Sequence, residues 1–168
     1  VGIAGGPEKC RRLTAEMGYD KVIDYKNDNV DVALDDAFPQ GIDLYFDNVG
    51  GSLLDNVLGR LRRRARIAIC GSISEYLVDI KDKHQFVNLQ NLGRQDAKME
   101  GFFVFDYEQV YPDCIKTLAA WVRAGALNPV EDISEGIETM PQALADLYLG
   151  HNVGVRMVKV GSPDLPLY

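Results

Sequence analysis

The sequence predicts an α/β fold, a doubly wound parallel sheet with helices on both faces. Two observations carry this. Short apolar runs of strand length alternate with segments whose apolar residues recur at helical spacing. Three of the runs also lead within a few residues into glycine, at Gly5-Gly6, Gly50-Gly51 and Gly71. Strands that each hand over to a helix must cross back to pair, which makes the sheet parallel and buries both of its faces.

In chain order, Val1 to Ala4 reads as the end of a strand. Gly5-Gly6-Pro7 then turns into a helix with Cys10, Leu13 and Met17 on one side and Gly18 at its close. Lys21 to Ile23 is a short strand, and Val30, Ala33, Leu34 and Ala37 mark the next helix. Ile42 to Phe46 is a buried strand, followed by helical spacing through Leu53, Leu54, Val57, Leu58 and Leu61. Arg66 to Cys70 is a second buried strand. Ser74 to Asp96 is polar and irregular, with a short helix expected near Phe86 to Leu92. Met99 to Phe105 reads as a third strong strand. A long helix then presents Val110, Cys114, Ile115, Leu118 and Val122, with Gly125 placed as its stop. After Ala126 the rhythm changes to a loop, a Thr139-to-Gln142 capping pattern before a helix at Ala143 to Leu149, and a strand at Val155 to Val160. The last residues, Ser162 to Tyr168, read as a surface extension.

Composition narrows the function classes. Among the 168 residues, 46% are hydrophobic and 26% charged, the balance of a soluble protein with a core. No apolar run reaches the length of a membrane span. A net charge of −7 and a pI near 4.8 argue against nucleic acid as the main partner, since that binding needs a basic face. Cys10, Cys70 and Cys114 lie far apart and odd in number, which fits a reduced, cytoplasmic setting. His84 and His151 stand in no metal-ligand spacing, so no metal is expected.

Three places carry chemistry. At the first strand end, Ala4-Gly5-Gly6 is small and uncharged, where an acidic residue would hold ribose hydroxyls and select NAD. Lys9, Arg11 and Arg12 stand near the following helix start, an arrangement suited to a phosphate. The alternative is a turn whose basic residues are simply solvated. Next, Tyr45-Phe46-Asp47-Asn48-Val49-Gly50-Gly51 puts Asn48 at the carboxyl edge of the sheet, where ligands bind in such folds. The alternative is that Asp47 and Asn48 cap the next helix. The third is Cys70-Gly71-Ser72-Ile73-Ser74-Glu75-Tyr76, whose small residues let backbone amides approach a ligand; the alternative is an ordinary polar loop. Cys70 itself reads as buried strand packing rather than a nucleophile, because no base is placed to activate it.

The ordered set G-I-A-G-G-P-E-K (Gly2 to Lys9), D-Y-K (Asp24 to Lys26), Y-F-D-N-V-G-G, R-I-A-I-C-G-S-I-S-E-Y, M-E-G-F-F-V (Met99 to Val104) and G-H-N-V-G-V (Gly150 to Val155) resembles one group. It is the zinc-independent medium-chain dehydrogenase/reductases, in the branch of prostaglandin reductases, alkenal double-bond reductases and curcumin-reductase-like enzymes. The resemblance runs from Val1 to about Val160. It implies a Rossmann-type domain, NADP(H) as cofactor, and reduction of the carbon–carbon double bond of α,β-unsaturated ketones or aldehydes. It implies that Lys9 and Tyr25 hold the 2′-phosphate and that Asn48 and Asn152 contact the cofactor. Cys70, Gly71, Ser72, Ile73, Ser74 and Tyr76, with Phe102, Phe103 and Val104, would border the nicotinamide. Tyr76 is the candidate catalytic donor to the substrate oxygen; a stacking role beside the nicotinamide is the alternative.

The same resemblance sets further expectations. The chain opens on what would be the second strand of the domain, so the first strand, its glycine-rich loop and an N-terminal substrate domain are expected upstream. Residues 1–125 would be a partial NADP-binding domain and 126–168 part of the substrate domain. The chain by itself is not expected to turn over. A homodimer, a small electrophilic alkene as substrate and no membrane partner complete the expectation. Val155 departs from the family, which usually has lysine there, and Val78 to Arg94 matches poorly. Two other functions stay open, a quinone reductase and a nucleotide-binding module without turnover.

Overall fold

The computed structural model describes residues 1–161, so the tail from Ser162 lies outside the described residues. The chain forms two compact units, Val1–Tyr111 and Pro112 onward. In the first, strands and helices alternate: β1 (Gly2–Ala4), α1 (Pro7–Ala15), β2 (Val22–Asp24), α2 (Val30–Ala37), β3 (Ile42–Asp47), α3 (Gly51–Leu58), β4 (Leu61–Ile69), α4 (Asn91–Arg94) and β5 (Lys98–Gly101). Every ladder is parallel, as the alternation requires.

The pairing is split. β1 pairs with β2, and β3, β4 and β5 form a separate sheet in that order. Neither β1 nor β3 has a second hydrogen-bonded neighbour among the described residues. Val1, Gly2 and Ile3 on one side and Leu44, Tyr45 and Phe46 on the other line a shared cavity of about 420 Å³. The joint is made instead by packing. Leu34 of α2 and Leu54, Val57 and Leu58 of α3 bury against Ile23, Ile42, Leu61, Ala65 and Ile67 of the strands. Burying side chains of this size stabilises the fold by about 1.5–3 kcal/mol each.

Leu61 begins β4 rather than ending α3. Its spacing from Val57 and Leu58 imitates a helix, but the chain turns at Gly59 and Leu61 pairs with Ile42. Between that pair and Leu44↔Arg66 the register shifts, and Arg64 takes φ 66° in the bulge. Arg60 fastens the turn to α2, bonding Asp35 at 2.6 Å and Asp31 at 2.8 Å. The strand expected over Met99 to Phe105 stops at Gly101, and the chain then coils through Val104–Val110. The short helix expected near Phe86 forms later, as α4.

The second unit holds most of α5 (Tyr111–Arg123), then β6 (Glu131–Glu135), α6 (Met140–Leu149) and β7 (Val155–Lys159). β6, expected as loop, pairs in parallel with β7. The Thr139–Gln142 capping box does not form. Thr139 bonds Gly136 O and Ser134, while Gln142 reaches Asp146, so Met140 already lies in the helix. Arg156 on β7 pairs with Asp132 at 2.6 Å, a cross-strand tie inside this unit.

Candidate functional site

Parallel strands deliver their carboxyl ends to one edge of their sheet, and the motif residues of the first unit follow those ends. At the β1 end, Gly6 N donates to Asp24 Oδ1 at 2.8 Å. The same oxygen takes Lys26 N at 3.1 Å, and Asn27 Nδ2 reaches Oδ2 at 2.7 Å. These bonds, led by that from Gly6, hold the Asp24 carboxyl below the usual carboxylate range. An acid therefore does stand near this corner, but its oxygens are turned into the backbone of the two turns. Nothing in its own sequence neighbourhood announced the role, because Gly6 is far off along the chain.

Gly5 is where the Tyr25 ring crosses. A methyl group there would stand 2.8 Å from the ring, so only glycine admits this approach. Lys9 lies half-buried in the first turn of α1. Arg11 and Arg12 do not serve the turn; both lean to Glu16 at the far end of the helix, at 3.9 and 3.0 Å.

At the β3 end, Asp47 is fully buried and accepts from Val49 N at 3.0 Å, Gly50 N at 3.1 Å and Tyr45 Oη at 3.0 Å. Burial, with Asp47 beside it, pushes the Tyr45 hydroxyl well up and keeps it a donor. Neither Asp47 nor Asn48 caps α3, whose N-cap is Gly50 without a side-chain bond. Asp47 ties the turn itself, and Asn48 is left exposed at the edge.

The β4 loop is zipped onto that turn. Cys70 N and Gly71 N donate to Asp47 O, Ile73 N to Asn48 O, and Ser74 N and Oγ to Val49 O. A methyl at Gly50 would stand 2.9 Å from Ser72 Cβ, which is why the approach needs glycine with φ 71°. Tyr76 Oη accepts from Ser72 N at 3.2 Å over Gly71, where a methyl would come within 2.9 Å of the hydroxyl. Cys70 is exposed rather than buried strand packing, because β4 pairs only as far as Ile69.

Phe102 continues from β5, its amide on Ile69 O at 3.3 Å and its ring 6.1 Å from Phe46. Phe103 and Val104 are exposed beyond it. Asn152 belongs to the second unit, where its carboxamide donates to Gly154 O at 2.7 Å. Within the first unit, Tyr25, Val49, Gly50 and Ser74 line one cavity of about 200 Å³. Three separate sequence motifs thus share a single pocket. Among the described residues no three His, Cys, Asp or Glu side chains group to hold a metal ion, and no helix is long and apolar enough to cross a membrane.

A family model described as zinc-binding dehydrogenase matches residues 17–155. The chain belongs to the zinc-binding dehydrogenase family. The chain is similar to (+)-pulegone reductase of Mentha piperita, 42% identical over 161 residues that cover 95% of this chain and 46% of that protein. The NADP(+)-dependent 2-alkenal reductase of Nicotiana tabacum is 40% identical, again over 95% of this chain and 46% of the other. Among solved structures, CurA from Vibrio vulnificus in complex with NADPH superimposes with a TM-score of 0.88 at 34% identity, covering 96% of this chain and 49% of that one. The chain spans about half the length of the curated relatives it matches. The α/β fold with parallel strands is the one this chain shares with CurA.

Proposed function

We propose that this chain is the cofactor-binding part of an NADPH-dependent reductase acting on the double bond of α,β-unsaturated ketones or aldehydes. The observation that carries the reading is the pocket shared by Tyr25, Val49, Gly50 and Ser74. It supports an adenosine seat in which Tyr25 reaches out to the turn before α1. The residues present fit the cofactor. Tyr25, Val49, Gly50 and Ser74 leave an open cavity of about 200 Å³ among them, and Asn48 stands exposed at the same sheet edge. Lys9 and Tyr25 would hold the 2′-phosphate, and Asn48 and the loop 70–74 the ribose and nicotinamide side. Residues 1–125 would form the nucleotide-binding domain and the remainder would belong to the substrate domain.

The bound cofactor supplies a hydride for the β-carbon of the substrate. The chain supplies the donor at oxygen. Tyr76 Oη accepts the Ser72 amide, so its own proton is left to point outward, toward an oxygen on which negative charge develops. The amide also polarises that hydroxyl, making it a better donor.

The test is the intact enzyme with NADPH and a panel of alkenals, enones and quinones. NADPH consumption with enals and enones, giving products saturated at the double bond, is the expected result. Faster turnover of quinones would replace the substrate class, and tight NADPH binding without consumption would replace the enzyme by a binding module.

A further inference from the structure

Resting on the cofactor reading above, we infer that Lys26 is a second cation for the phosphate that distinguishes NADPH from NADH, aimed there by the Asp24 carboxylate. A methyl at Gly5 would meet the Tyr25 ring at 2.8 Å and Lys26 Cε at 2.9 Å. The two side chains therefore cross the same glycine side by side, and the Lys26 ammonium is one bond beyond that crossing. Its direction is set by the backbone. Asp24 Oδ1 takes both Gly6 N and Lys26 N, so one carboxylate oxygen ties the turn before α1 to the turn after β2.

Charge explains why one lysine is not enough. Asp24 lies at the foot of the corner, and Asp28 beside it accepts Asp24 N at 2.8 Å. Burial pushes the nearby Cys10 thiol up, and the fields of Asp24 and Asp28 push it further. Arg11 and Arg12 lean away to Glu16. A dianionic phosphate seated here needs Lys26 as well as Lys9 to balance those carboxylates.

The experiment is calorimetric titration of the intact protein with 2′,5′-ADP, which carries the 2′-phosphate, and with 5′-AMP, which lacks it. Lys26→Gln should weaken 2′,5′-ADP by about tenfold and leave 5′-AMP unchanged, as loss of one charge-assisted contact does. Lys26→Arg, which keeps the charge, should retain most of the affinity, and added salt should shrink the difference between Gln and wild type. Unchanged 2′,5′-ADP binding in Lys26→Gln, with loss in Lys9→Gln, would overturn the role of Lys26 and keep the cofactor reading. Equal weakening of both nucleotides would also overturn it, by making Lys26 a folding residue. A wild-type protein that shows no preference for 2′,5′-ADP would remove the cofactor reading and this inference together.

Discussion

The hydroxyl of Tyr76 sits 3.2 Å from the Ser72 amide and lies over Gly71, so the phenol is held by the loop it follows. In the intact enzyme Tyr76→Phe should lower kcat by about 10²-fold, the loss seen when a placed donor to a developing oxyanion is removed. The KM for NADPH should not move. A kcat within a few-fold of wild type would instead leave Tyr76 as a packing residue beside the nicotinamide.

Gly71→Ala tests the same contact from below. The added methyl comes within 2.9 Å of the Tyr76 hydroxyl and must displace it. Turnover should fall as in Tyr76→Phe, and the double variant should be no worse than either single one, because both remove one interaction.

Asp24 gives a pH dependence with a definite sign. Its folded pKa lies below the usual value, so it adds stability above the unfolded pKa of about 3.9 and loses it as pH falls through the folded pKa. The melting-temperature gap between wild type and Asp24→Asn should be constant above about pH 5 and close below about pH 4. A gap that stays open in acid would mean the carboxylate charge is not what the three N–H donors need.

Asp47→Ala should destabilise by about 3 kcal/mol in urea unfolding, since it strands the buried Gly50 amide and removes partners of Val49 and Tyr45. Leu58→Ala, at a fully buried core position, should cost about 2–5 kcal/mol with the slope unchanged. Asp47 should in addition disturb nucleotide binding, because the 70–74 loop hangs on the turn it ties; Leu58 should not.

The order of elements was legible because each buried strand is a short apolar run handed on to a helix, and the sheet edge followed from where Asn48 and Cys70 fall. The family likeness was legible from six motifs in order. What escaped was set by distant partners. Leu61 keeps helical spacing with Val57, and only its pairing with Ile42 makes it a strand. Glu131–Glu135 holds a single apolar residue, Ile133, too little to signal a strand before β7 is beside it. Asp24 is an acid among polar residues until Gly6 is folded onto it. Cys70 looked like the end of a buried run because its burial depends on neighbouring strands that stop one residue earlier.

The cavity between β1 and β3 leaves the edges of two sheets facing each other across a largely apolar seam. Among the described residues no ladder crosses it, and the two sheets are joined by side chains of α2, α3 and the strands together with the bonds from Arg60 to Asp31 and Asp35. In this stretch of chain taken alone, backbone amides along that seam should exchange hydrogen sooner than those of the β3–β4 ladder.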